Sequence, residues 1–450
     1  MGDLDVNVSE LIDNSQLNPF HFRIIGLCAC LLFFEGFDFY AISYVAPVLG
    51  EALAISKAML GPIFSAGQFG LMLGALILGI AGDRWGRKRI FILCGLVFGL
   101  ASLATALTTS YLWLLIWRSV AGLGMGGAGP IAITIATDYC PKRARAALTM
   151  VMYTGFSFGG VFAGAVNAYF LRYGWQTVFY VGGAIPILLS PVLVLALPES
   201  LNYLVSRKTR GAEVAYVLKK LAPGVPFSAD NRFVMDQAYE KRVLVPELFR
   251  EGYGRRTILL WTILFVSLIT LFSLTNWLPT LFNTLGITPK QVVTIMAVSQ
   301  GAGLLGSLVA ARLVVAFRPF HVAAVGYAIA ALLLLSLGKF GSGYAPILIV
   351  NPFLYFFLIG DQNIVNAMAG QLYPPKIRAT GTGWGIGIGR IGGILGPSIA
   401  GLLLAFHWTP GRLFMLAAFP TLATSAGALA MSHVMKERRA NDVRPLFAPE

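Results

Sequence analysis

The chain has 450 residues, of which 57% are hydrophobic and only 12% charged, with a formal net charge of +14. A soluble globular chain carries about 25% charged residues, so an ordinary water-soluble domain is excluded. The positive balance lies in connections between apolar segments, which leaves nucleic-acid binding without support.

Residues 1–18 are polar and contain acids. They lack the basic, then apolar, then small-residue order of a cleaved leader, so the first span is expected to stay. Apolar segments long enough to cross a bilayer, about 20 residues, then follow along the whole chain. They fall at 20–49, 58–82, 87–109, 111–139, 146–171, 175–197, 257–283, 291–315, 320–338, 344–373, 379–406 and 411–435. Backbone polar groups in lipid need internal partners, so twelve helices are expected. Lys and Arg gather in alternate connections. These hold Arg84, Arg87, Lys88 and Arg89, then Lys142, Arg143 and Arg145, then Arg318, then Lys376 and Arg378, and finally Lys436, Arg438 and Arg439. The positive-inside rule assigns these connections and both termini to the cytoplasm.

A polar stretch, 199–256, interrupts the pattern after six spans. It predicts a cytoplasmic linker with a short amphipathic helix over 212–221. The chain therefore divides into a six-helix bundle (1–198), the linker, and a second bundle with a tail (257–450). Pro141-Lys-Arg-Ala-Arg145-Ala146 is echoed by Pro374-Pro-Lys-Ile-Arg378-Ala379, and at the same offset Gly159-Gly160 falls on Gly392-Gly393. Six-plus-six repeats with a midplane binding site recur among secondary transporters. Cys28, Cys30, Cys94 and Cys140 show no metal-ligand spacing, and His21, His321, His407 and His433 do not cluster with acids. No metal, no cofactor and no nucleophile–base pair is expected, so an enzyme is not.

Gly82-Asp83-Arg84-Trp85-Gly86-Arg87-Lys88-Arg89 resembles the loop between spans two and three of the major facilitator superfamily. Arg118-x-x-x-Gly122-x-Gly124-x-Gly126 resembles its span-four motif. Three further stretches resemble the aromatic acid:proton symporter branch. They are Glu35-Gly36-Phe37-Asp38 with Ala46-Pro47, Asn276-Trp277-Leu278-Pro279, and Arg378-Ala379-Thr380-Gly381-Thr382-Gly383-Trp384 running on to Gly389-Arg390. The resemblance covers all but the linker. It implies an all-α membrane protein with two pseudo-repeat bundles, seated in a bacterial cytoplasmic membrane as a monomer and moving a small carboxylate with protons. The sequence departs from the branch in three places: Glu35 replaces an aspartate, Asp361 precedes Gln362 where a small neutral residue is expected, and Val315 replaces the aspartate of the second basic hairpin.

Charges inside spans cost about 2.5–3.5 kcal/mol each on insertion scales, so those retained are functional candidates. Glu35 and Asp38 stand at i and i+3 on one helical face. Two carboxylates this close do not both ionise cheaply, which suits proton coupling; Asp361, in span ten, is the third candidate. Arg390 lies mid-span among glycines and offers a planar fork for a carboxylate. Its alternative role is a structural partner for an intramembrane aspartate. Arg118 faces the same choice, with coupling to a span-one acid favoured over direct contact. Asn276, Trp277, Gln362 and Trp384 complete the expected substrate site, its aromatic rings stacking on an aromatic acid. Asp83, Arg84 and Arg87, extended by Asp138 and Arg145 and echoed by Arg378, form the expected gating latch, made in one access state and broken in the other.

These residues together predict a proton-coupled importer of an organic carboxylate, with an aromatic acid as the first reading. A symporter of a non-aromatic organic or sugar acid fits the same arginine. An exporter exchanging protons is less favoured, because span five lacks the glycine-proline element such exporters carry.

Overall fold

The computed structural model describes residues 6–207, 211–221, 227, 231–235, 245–250 and 252–443. Twelve described helices are long and apolar enough to cross a membrane. Spans one to six are Pro19–Ala52, Lys57–Trp85, Arg87–Ala106, Tyr111–Tyr139, Lys142–Phe170 and Gln176–Ala196. Spans seven to twelve are Gly254–Thr284, Pro289–Ala316, Pro319–Phe340, Tyr344–Ala369, Pro375–Ala405 and Pro410–Val443. The expected span count is met.

Boundaries move where local chemistry overrides hydropathy. Span ten stops at Ala369 because Pro374 caps the next helix and Pro375 opens it; proline suits a first helical position and not a last turn. The hairpin after span two turns at Gly86, whose φ of +108° a side chain would resist. The linker contributes the helix Gly211–Leu221, which buries Val214, Val217, Leu218 and Leu221. Its Pro223-Gly224 lies outside the described residues, as do the side chains of Lys376, Lys436, Arg438 and Arg439. One feature was not legible: a short helix, Val8–Asn14, precedes span one, and Val6–Asn7 pairs in parallel with Phe233–Val234 of the linker.

The chain forms two compact units. The first holds the described residues of 1–45 and 66–239, the second those of 46–65 and 240–450. In the second unit, Ser65 Oγ donates to the Ile394 carbonyl at 2.5 Å and lies 2.7 Å from Ser398 Oγ.

Small residues set the helix spacing, as expected where lipid supplies no hydrophobic drive between helices. In the first unit, spans two and four cross through Gly70, Gly74, Gly122 and Gly126. A carbon added at Gly122 would strike the Gly67 carbonyl, and one at Gly126 the Leu71 carbonyl. Spans one and five cross the same way at Gly36, against Phe156, and Gly159, against Phe33. Gly79, by contrast, has nothing within 4 Å of an added carbon. Gly122→Val is therefore expected to destabilise the protein by about 1–3 kcal/mol or more, and Gly79→Ala to leave it unchanged or slightly improved. Thermal unfolding of the purified variants in one detergent checks this; equal melting temperatures would show that the crossing tolerates a side chain.

Candidate functional site

Asp38 and Arg118 meet inside the first unit. The Arg118 Nη1 lies 3.0 Å from Asp38 Oδ2, with the two side chains 2% and 0% exposed. Arg118 Nη2 also donates to the Asp38 backbone carbonyl at 3.4 Å, and the guanidinium sits 5.5 Å over the ring of Phe179. Ser102 Oγ donates to Asp38 Oδ1. The glycines after Arg118 draw the helices close enough for this: Gly124 backs onto Cys94 and Phe98 of span three, the helix that carries Ser102. Glu35 is 7% exposed, one turn before Asp38, beside Gly129 and the Tyr153 hydroxyl.

Arg390 lies in the second unit, half-buried on span eleven. Two glycine rows run along that helix. Gly385, Gly389, Gly392 and Gly396 pack against span seven, at Leu260, Leu264, Phe265 and Ile269. Gly383 and Gly387 have nothing within 4 Å of an added carbon. With Arg390 they stand at i, i+4 and i+7, so the guanidinium shares a helix face with open space. The neighbouring Trp384 is 49% exposed, its ring 6.3 Å from that of Trp261.

The remaining expected residues divide by environment. Trp277 is 1% exposed; its indole N–H donates to the Pro397 carbonyl at 2.9 Å and its ring meets Phe64 edge-on. Asn276 donates to the Phe272 carbonyl at 2.8 Å. Gln362 accepts from Tyr327 at 3.4 Å and donates to Asn366 at 3.2 Å. Asp361 lies in the second unit and Asp38 and Glu35 in the first. The carboxyl of Asp361 fills the place where Gly326 lacks a side chain.

The span-end network centres on Arg87. Its Nη1 donates to Asp138 Oδ2 at 2.7 Å and to Ser200 Oγ at 3.3 Å, and its Nη2 lies 3.2 Å from Asp83 Oδ1. Asp138 is 4% exposed and Asp83 71%. Asp138 also accepts from Asn202 at 2.5 Å and from Ser200 Oγ. Arg84 is exposed and offers its carbonyl to Arg207 at 3.0 Å. Arg145 donates to the Cys140 carbonyl at 3.3 Å and Arg378 to the Tyr373 carbonyl at 3.4 Å; neither distance reaches a carboxylate. Sequence reasoning missed Glu199, Ser200 and Asn202. Glu199 accepts from the Lys88 backbone N–H at 2.9 Å, and Ser200 caps the helix Leu201–Ser206. A polar Glu-Ser-Leu-Asn run directly after span six was the available signal.

The Major Facilitator Superfamily model matches residues 28–363. The gallate transporter of Pseudomonas putida is 33% identical over 433 residues, covering 96% of each chain. The 4-hydroxybenzoate transporter PcaK of Pseudomonas aeruginosa is 34% identical, covering 94% of this chain and 95% of that one. The benzoate transport protein of Acinetobacter baylyi is 30% identical, covering 93% and 91%. Among solved structures, a D-xylose-proton symporter superposes with a TM-score of 0.70 at 16% identity, covering 90% of this chain and 97% of that one. That likeness speaks for the fold alone. With twelve membrane-crossing helices and full-length similarity to bacterial aromatic acid transporters, the chain belongs to the major facilitator superfamily, as a multi-pass protein of the inner membrane.

Proposed function

We propose that this chain is a proton-coupled symporter that imports an aromatic carboxylate by alternating access, as a monomer in the bilayer. It moves its solute without making or breaking covalent bonds. The observation that carries the reading is the Asp38–Arg118 pair, held in membrane-spanning helices with almost no exposure. Loss of one partner from a buried pair typically costs about 3–5 kcal/mol, because the other charge is left uncompensated. Protonation of Asp38 would do this reversibly. Ser102 still bonds the neutral acid, while Arg118 keeps, among the described residues, a backbone carbonyl and the Phe179 face. The released positive charge favours entry of an anion, so proton loading and carboxylate binding assist each other. Glu35, one turn away, relays or shares the proton. One monoanion carried with one proton is electroneutral, whereas a second proton would draw about 2.3 kcal/mol per 100 mV from the membrane potential.

Arg390 supplies the carboxylate clamp, and Trp384 with Trp261 the aromatic wall. Gallate, 4-hydroxybenzoate and benzoate, named for the relatives, share a carboxylated ring that suits such a pair. The exposed indole favours an aromatic over a sugar acid. The Arg87 network holds the cytoplasmic helix ends in one access state, with buried Asp138 its anchor and Asp83 its exposed arm.

Three variants test these assignments. Asp38→Asn fixes the neutral form, so uphill, uncoupler-sensitive uptake should vanish while substrate counterflow persists in proteoliposomes. Normal accumulation would make the pair a static brace. Arg390→Ala should weaken binding of the transported acid by at least about thirty-fold, from roughly 2–5 kcal/mol of lost charge-assisted pairing, with Arg390→Lys intermediate. Calorimetry with the uncharged amide as control reads this; normal binding of the acid by the alanine variant would move the clamp elsewhere. In the latch, Asp83→Asn removes an exposed i,i+4 pair worth about 0–1 kcal/mol and should slow turnover with little change in affinity. Asp138→Asn, which removes the buried carboxylate from Arg87, should slow it further and lower thermal stability. A large affinity loss at unchanged turnover in either variant would contradict a gating role.

A further inference from the structure

Asp361 is the charged residue that the family resemblance does not account for, and the structure gives it a setting of its own. Asp361 is among the residues that line a cavity of about 360 Å³ between spans eight, nine and ten. That volume lies within the range of small-molecule sites, about 300–1,000 Å³. Apart from Asp361 and His321 the walls are apolar or glycine: Val309, Leu313, Val325, Ile329, Phe356 and Phe357 among them. Asp361 is 4% exposed, and its Oδ2 has no hydrogen-bond partner among the described residues. Gly326, on span nine, makes room for it; an added carbon there would collide with the carboxyl. The rim carries exposed apolar side chains, Val309, Leu313, Phe317 and Val325. On spanning helices such a rim matches acyl chains better than water.

We propose that this groove is a second ligand site, distinct from the carboxylate clamp, which takes a lipophilic amine from the bilayer. The ammonium reaches the Asp361 carboxyl beside Gly326, and the apolar body lies along spans eight and nine. Hydrocarbon supplies no hydrogen-bond donor, so a buried carboxyl oxygen gains most from a ligand that brings one. Charge decides the class. A carboxylate-bearing solute would meet another acid in Asp361, whereas an amine meets its complement. Within this reading the site binds an inhibitor or modulator rather than the transported acid.

The test is equilibrium binding of radiolabelled dodecylamine to the purified full-length protein in detergent. Dodecanol and dodecanoate of the same chain length serve as competitors. We expect a saturable site displaced by unlabelled amine, at least about tenfold less well by the alcohol, and not by the acid. Asp361→Asn should weaken amine binding by at least about tenfold. Val325→Trp, which fills the groove and leaves the carboxyl intact, should weaken it comparably. Undiminished affinity in either variant overturns the proposal, as does equal displacement by dodecanoate, which would mark an acyl slot indifferent to its head group. If Asp361→Asn is not recovered folded, Val325→Trp and the three head groups on the unmodified protein decide the question. The outcome is independent of whether the chain imports an aromatic acid.

Discussion

A charge that crosses into a bilayer must find its complement within the protein, because the hydrocarbon provides none. The Asp38–Arg118 contact answers that constraint in the first unit, and much of the surrounding packing serves it. Span four carries Arg118 and then glycines that let spans two and three approach. Span three places Ser102 on the free side of the carboxylate, and span six supplies the Phe179 ring beneath the guanidinium. A solvated pair would need none of this. In the proposed mechanism the same arrangement is what one proton acts on, converting a compensated site into an uncompensated one.

The second unit solves a different problem. Span eleven lies close to span seven along one face and leaves another face open. Its glycines are divided between two faces to do so. Gly385, Gly389, Gly392 and Gly396 accept the neighbouring helix, while Gly383 and Gly387 leave their face unfilled. A single glycine-rich sequence thus builds a tight seam and an open wall at once. The span-end network in the first unit follows the same economy: buried Asp138 organises Arg87, Ser200 and Asn202, and exposed Asp83 adds a weak outer arm.

Spans and family signatures were legible in the sequence because they are local: runs of about 20 apolar residues and a basic hairpin turning at Gly86. The i, i+3 spacing of Glu35 and Asp38 was legible for the same reason. Contacts between distant segments were not. Nothing in the spacing of Arg118 singles out Asp38 over Glu35, and Ser102 carries no signal of its own on span three. Asp83 and Asp138 are both expected in the latch from charge alone, but which of the two is buried is not: Asp138 is 4% exposed and Asp83 71%. Charge and position group Arg145 with that network, yet its guanidinium bonds the Cys140 carbonyl at the end of span four. Trp277 and Trp384 look alike as span aromatics; their environments, one buried and one half exposed, depend on helix rotation, which hydropathy does not report.

The central claim is that binding of the carboxylate and protonation of Asp38 favour one another. Thermodynamic linkage requires the two effects to be reciprocal. The most direct measurement is proton uptake or release when a hydroxybenzoate is added to purified, weakly buffered protein, together with its binding constant across a range of pH. Net proton uptake on binding is expected, with an affinity that rises as the pH falls, and both effects should be lost in Asp38→Asn. Binding without proton uptake, at an affinity independent of pH, would contradict it.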